Sequence, residues 1–199
     1  MPLLFGLLAQ TACAERSGAD VAGTDIVQAG QLALENPGFE EAGGEMSVPG
    51  WNLFQHAGEP SYVMTIDKKS PGKGKQSLRL TQTLPQFYGL VEQKVKATPD
   101  MAGKMVEFAA LAKTSKVGEK GWLVWIYLYD SSEQLLAEYH SQPLLGTTKW
   151  QRISAVGKVL PNTSSFTVGV QMLDEGNQGI GWADDLKMRV FEPEVVAKP

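Results

Sequence analysis

Two short carboxylate-bearing segments lie toward opposite ends of the chain: Asn36-Pro37-Gly38-Phe39-Glu40 and Gly181-Trp182-Ala183-Asp184-Asp185-Leu186. Each sets acidic side chains beside a tight turn or a strand, where carboxylate and main-chain oxygens suit a hard cation that would tie the first strand to the last. A second chemistry lies between them. From Val124 to Tyr129, the aliphatic residues Val124, Ile126 and Leu128 alternate with Trp125, Tyr127 and Tyr129. Successive strand side chains face opposite ways, so with the aliphatic set in a core the aromatic set forms a row outside it. Such rings pack on the C–H faces of sugars while polar neighbours bond the hydroxyls. The same parity turns Arg79, between Leu78 and Leu80, and Gln171, between Val170 and Met172, outward as well. Phe87 and Tyr88, in the turn-like stretch 84–89, would line one wall of a cleft.

The elements that must position these groups are strands. Phe166, Val168, Val170 and Met172 alternate with Thr167, Gly169, Gln171 and Leu173, and helical periodicity is absent. Further strands are expected at 51–56, 61–67, 77–82, 90–96, 105–113, 134–140, 150–158 and 182–191. Turn signals separate them, at 70–75 (SPGKGK), 98–103 (TPDMAG) and 160–165 (LPNTSS). About ten strands at this spacing predict an all-β domain, a β-sandwich jelly roll.

With 199 residues and 43% hydrophobic content, the chain has material for one core and not a second. The net charge of −4, with lysines scattered singly, offers no basic stripe to a phosphate backbone, which excludes nucleic acid as a partner class. Residues 1–14 read as an export signal: an apolar run from Leu3 to Ala9, too short to span a bilayer, leads into small residues. Two readings of Cys13 are open, lipidation as in a bacterial lipoprotein or loss by cleavage after Ala14. The expected location is therefore outside the cytoplasm, as a cell-envelope lipoprotein or a secreted or periplasmic protein, with membrane contact only through the lipid. Residues 15–31 have linker composition, a coil reaching on the order of 20 Å, the domain is expected over 32–192, and 193–199 reads as a tail. Cys13 is the lone cysteine, so no disulfide is available.

An ordered series of short matches runs from 32 to 191. After Asn36–Glu40 come Pro49-Gly50-Trp51, the stretch 74–80 (GKQSLRL), Gln93 before Val95, Gly103 followed by 107–113, Tyr129-Asp130, Trp150, Pro161-Asn162, Gly169-Val170 and finally 181–186. Taken together the series resembles the galactose-binding-like jelly rolls used as carbohydrate-binding modules, in particular families four and nine. The resemblance implies a non-catalytic module that holds a polysaccharide or glycan in an aromatic cleft, here with Trp125, Tyr127, Arg79, Gln171 and Tyr88 as contacts. It also implies a structural calcium, with Gly38 and Lys75 offering carbonyls and Glu40, Asp184 and Asp67 carboxylates. Closing a loop of about 140 residues in this way acts where chain closure costs most entropy.

Other readings stay open beside this one. The aromatic row would serve as a second small core if a loop covered it, and the jelly roll would then act as an envelope adhesion or assembly module with a protein partner. A hydrolase or lyase needs convergent acid and base groups. Asp184 and Asp185 are strand neighbours that face apart, as are Tyr139 and His140. Gly72-Lys73-Gly74-Lys75 lacks the Ser/Thr and the helix of a phosphate loop and reads as a hairpin turn. His56 and His140 stand at no zinc spacing.

Overall fold

Period-two alternation accounts for ten strands, and no α-helix occurs among the residues that the computed structural model describes, 30–41, 43, 47–173 and 179–193. The export segment with Cys13, most of the linker and the tail beyond 193 lie outside the described residues. The strands are β1 (Gln31–Leu32), β2 (Asn52–Gln55), β3 (Tyr62–Asp67), β4 (Ser77–Gln82), β5 (Tyr88–Lys96), β6 (Met105–Tyr129), β7 (Leu135–His140), β8 (Leu144–Lys158), β9 (Ser165–Leu173) and β10 (Ile180–Phe191).

The stretches 105–113 and 124–129, read from sequence as two strands, are the two ends of one 25-residue strand, β6. The residues between them hide the continuity because the β6–β8 ladder shifts register between Ala112 and Thr114, Thr114 and Val117, and Val117 and Trp122. Lys116 (φ 55°) and Gly121 (φ 85°) adopt left-handed backbone there. Each extra residue at such a bulge reverses the inward–outward phase, which erases the alternation while the pairing goes on.

All pairings are antiparallel, and β6 belongs to two layers. Its first half pairs with β10 and β8, giving a layer ordered β3-β4-β10-β6-β8 with β1 added against the end of β10. Its second half pairs with β9 and β7, giving β2-β5-β9-β6-β7. The inner faces meet in one core in which Leu78, Leu80, Phe108, Ala110, Met188, Val124, Ile126, Phe166 and Val170 are inaccessible to solvent. Each buried Leu or Phe contributes about 1.5–3 kcal/mol, so core parity fixes which side chains of every strand point outward. The result is the jelly-roll sandwich expected from the sequence.

Candidate functional site

Register across the second layer aligns its outward side chains in rows. One row runs Asn52 (β2), Glu92 (β5), Gly169 (β9), Trp125 (β6), His140 (β7). The next runs Lys94, Thr167, Tyr127, Glu138, and on the other flank lie Phe54, Leu90, Gln171 and Leu123. Gly169 puts no side chain between Glu92 and Trp125, and none would fit, because a Cβ there would stand 2.3 Å from the Val91 carbonyl oxygen. The face is nonetheless closed over the glycine, where Gly169 and Trp125 are buried, and the partly exposed groups beside it are Glu92, Tyr127 and Tyr129.

The Trp125 and Tyr127 rings lie with centroids 4.2 Å apart at 42°, and His140 stands edge-on to Tyr127 at 5.8 Å. Trp125 is only 1% exposed, and its indole N–H is buried without an acceptor. Glu92 is partly buried, and this burial, with no compensating hydrogen bond or cation, pushes its carboxyl pKa up. Burial, reinforced by the charges of Glu138, Tyr129 and Glu92 and by the hydrogen bond that the phenol donates to Glu138, pushes Tyr127 up to about 12. Tyr129 is raised as well, first by burial and then by Glu92 and Glu138. An unpaired carboxylate in low dielectric is costly, and for the partly exposed Glu92 a ligand is one way to offset that cost, whereas the Trp125 N–H is out of a ligand's reach.

The face has two distinct ends. Beyond Tyr129, a cavity of about 470 Å³ is lined by Lys94, Lys96, Ser131 and Ser165, among others. At the opposite end, Phe54 and Phe87 are each about half exposed, and the His56 ring lies 5.3 Å from Phe87 and 6.0 Å from Tyr88.

Of the residues singled out from sequence, Trp125, Tyr127, Tyr88 and Gln171 share this face, with Gln171 buried to 5% exposure between Leu90 and Leu123. Arg79 does not join them. Its parity is outward, but it stands on β4 in the first layer, on the opposite outer surface. There it belongs to a ladder of cations and indoles: Lys113 Nζ lies 4.1 Å from the Trp182 ring centroid and 5.4 Å from that of Trp150, and Arg79 Cζ lies 5.9 Å from Trp182. The Trp182 indole N–H donates to Asp67 Oδ2 at 2.7 Å, and Lys113 Nζ donates to Ser70 Oγ. Burial alone would raise Asp67, but the Trp182 and Lys69 N–H groups and the Arg79 charge hold it below the usual carboxylate value. Asp185 is likewise lowered: burial opposes, and Lys73, Arg152 and Lys187 prevail.

The residues expected around calcium gather where 36–41, the turn 70–76 and 182–186 meet. The Leu186 N–H donates to the Pro37 carbonyl at 2.9 Å, which joins segment 36–40 to segment 181–186. Asp184, inaccessible to solvent, accepts the N–H groups of Gly72 (2.8 Å) and Lys73 (2.7 Å) on Oδ2 and that of Asp185 (2.7 Å) on Oδ1. Burial still pushes its pKa up against these bonds. Glu40 Oε1 accepts the Lys75 N–H at 2.7 Å. Gly74, at φ 69°, makes room for it, since a Cβ there would sit 2.1 Å from the same oxygen. Asp67 is turned to Trp182 and Lys69. Among the described residues no three His, Cys, Asp or Glu side chains converge as a metal cage. A cation here would draw on Glu40 Oε2 and main-chain carbonyls.

Several weaker motifs have structural places. The 72–75 turn joins β3 to β4 and receives carboxylates. Tyr139 faces inward, its ring over Gly157 and its hydroxyl donating to the Lys158 carbonyl at 2.8 Å, whereas His140 faces outward. Glu92, Glu138 and Phe54 were not singled out as ligand contacts by sequence reasoning. Their signal was their parity relative to Val91, Ala137 and Leu53, which becomes informative only once the strands are aligned.

No protein-family model matches the chain, and no curated sequence does. Solved structures do. The enzymatically active domain of a tailspike protein from bacteriophage CBA120 is similar at TM-score 0.61 and 16% identity over 80% of this chain, which spans 21% of that domain. A cyclase from Fischerella sp. TAU gives 0.60 and 12% over 83% of this chain and 98% of its own length. A xylan-binding domain of carbohydrate-binding module family 22 from Paenibacillus barcinonensis gives 0.50 and 14%, over 79% and 93% respectively. At these identities the likeness is one of fold, and the resemblance to carbohydrate-binding jelly rolls holds at that level.

Proposed function

We propose that this chain is a carbohydrate-binding module whose groove is the outer face of the second layer, from Phe54 and Tyr88 across Gly169 to Tyr127 and Tyr129. The observation that carries the reading is a partly exposed carboxylate, Glu92, that has no hydrogen-bond or ion-pair partner among the described residues and lies near the partly exposed rings of Tyr127 and Tyr129. Sugars supply what such a surface lacks, C–H faces for the rings and hydroxyls that both donate and accept. The similarity to a xylan-binding domain supports the reading at the level of the fold.

The test is retention of the domain on a broad panel of soluble and insoluble polysaccharides, compared with Tyr127→Ala and Trp125→Phe variants. Selective retention by the wild type, weakened in both variants while the thermal transition persists, supports the groove. Retention unchanged in both would place the ligand elsewhere. The titratable group set Glu92, Tyr127, Glu138 and His140 gives a second, catalytic reading a specific observation to stand on, alongside the fold shared with a cyclase and a tailspike domain. Release of reducing ends or unsaturated sugars from the same panel would favour it over binding alone.

Two accessory parts of the reading have tests of their own. A structural calcium on Glu40 and the Gly38 and Lys75 carbonyls would raise the melting temperature by mass action, and chelation would reverse that rise. An anchor on Cys13 would appear as incorporation of labelled lipid in a bacterial host, lost in Cys13→Ser.

A further inference from the structure

We infer that the groove selects glycans carrying free, protonated amino groups over neutral or acidic ones; the inference rests on the groove reading and specifies its ligand class. Two carboxylates, Glu92 and Glu138, border the aromatic pair Trp125–Tyr127 from opposite sides, on β5 and β7. The cation nearest in register, Lys94, is engaged by Glu133 at 2.7 Å. Glu138 accepts the Tyr127 hydroxyl and has His140 within 4.0 Å, a counter-charge only when that ring is protonated, and Glu92 has no cation among the described residues.

The partly exposed stretch of the face from Glu92 to Tyr127 suits an ammonium group beside a sugar ring. Glu92 and Tyr127 are both partly exposed on this face, on strands separated by β9, and Glu92 is near enough for its charge to act on the Tyr127 phenol, so a sugar ring stacked on Tyr127 brings an amine toward Glu92. An amine on that ring would neutralise the unpaired carboxylate and sit against the negative face of Tyr127, the two interactions by which aromatic and acidic side chains recognise alkylammonium ions. A uronate or sulfate in the same position would place like charges together in a partly desolvated site. A neutral hydroxyl would bond to Glu92 and leave its charge uncompensated.

The experiment is calorimetric titration of the domain, in mildly acidic buffer, with three β-1,4-linked hexamers that differ only at C2: glucose, N-acetylglucosamine and glucosamine. The expected result is a preference of about tenfold or more for the glucosamine hexamer, the size of one charge-assisted hydrogen bond. Glu92→Gln and, to a smaller extent, Glu138→Gln should reduce that preference while the domain stays folded. Equal affinity for the three, binding of the neutral hexamers alone, or a preference untouched by both variants overturns the inference and leaves the glycan groove standing. Binding of none of the three overturns it too, and if the broad polysaccharide panel is also negative the glycan reading falls with it.

Discussion

Both outer faces of this sandwich carry tryptophans and charges, yet they treat them in opposite ways. On the first layer, Lys113 and Arg79 lie against Trp182, Trp182 donates to Asp67, and Asp185 collects Lys73, Arg152 and Lys187. The buried Arg79 Nε is an exception among these, without a hydrogen-bond partner. On the second layer, Glu92 is unpaired, the Trp125 N–H has no acceptor and Tyr127 faces carboxylates that make its ionisation harder. Aromatic composition is therefore a poor guide to a ligand surface by itself. A face that has satisfied its own polar groups offers a ligand little, whereas one that has not can gain from what the ligand brings.

Substitutions can break or sharpen this contrast. The largest effect is expected from Asp184→Ala on the self-satisfied side, which strands three backbone N–H donors; a loss of about 3 kcal/mol in urea unfolding, with glycan affinity unchanged, is the outcome consistent with a purely structural role. On the open side, Tyr127→Ala should cost about 1–2 kcal/mol of stability, because the ring is only partly covered, and at least tenfold in affinity. Lys113→Met, which keeps the aliphatic stem and removes the charge over Trp182, should cost about 1 kcal/mol and leave binding alone. A larger effect of Lys113→Met on affinity than on stability would invert the assignment of the two faces.

The smallest effect has the opposite sign. Glu92 has its pKa raised in the folded state, so the native protein holds that proton more tightly than the unfolded chain does. The associated stability is complete below the ordinary glutamate pKa and is lost as pH rises through the raised value. Glu92→Gln, which cannot ionise, should therefore melt slightly higher than wild type near neutrality, with the difference closing in acid. A melting curve lowered at neutral pH would mean that Glu92 has a stabilising partner and that the contrast between the faces is weaker than drawn.

How much of this was legible in the sequence depends on what single-strand periodicity can carry. Parity turned Trp125, Tyr127, Arg79 and Gln171 away from the central core, but it does not report cover or layer: Trp125 and Gln171 are buried on their own face, as in the reading that makes the aromatic row a second small core, and Arg79 was grouped with residues on the other side of the sandwich. Glu92 and Phe54 gained meaning only from cross-strand register, which joins residues far apart in the chain. The approach of 36–40 to 181–186 was readable because both motifs carry turn and strand signals together with carboxylates. That Asp184 is filled by N–H groups of the 70–76 turn was not, because backbone donors leave no mark in side-chain identity.

The length of β6 has a consequence for how this molecule comes apart. One strand of 25 residues lies inside the hydrogen-bonded ladder of both layers, flanked by β10 and β8 at one end and by β9 and β7 at the other. Neither layer can open fully without stripping bonds from a strand that the other also uses. The two sheets are thereby fused into a single cooperative unit for unfolding, in which the amide protons at both ends of β6 share one slow exchange with water.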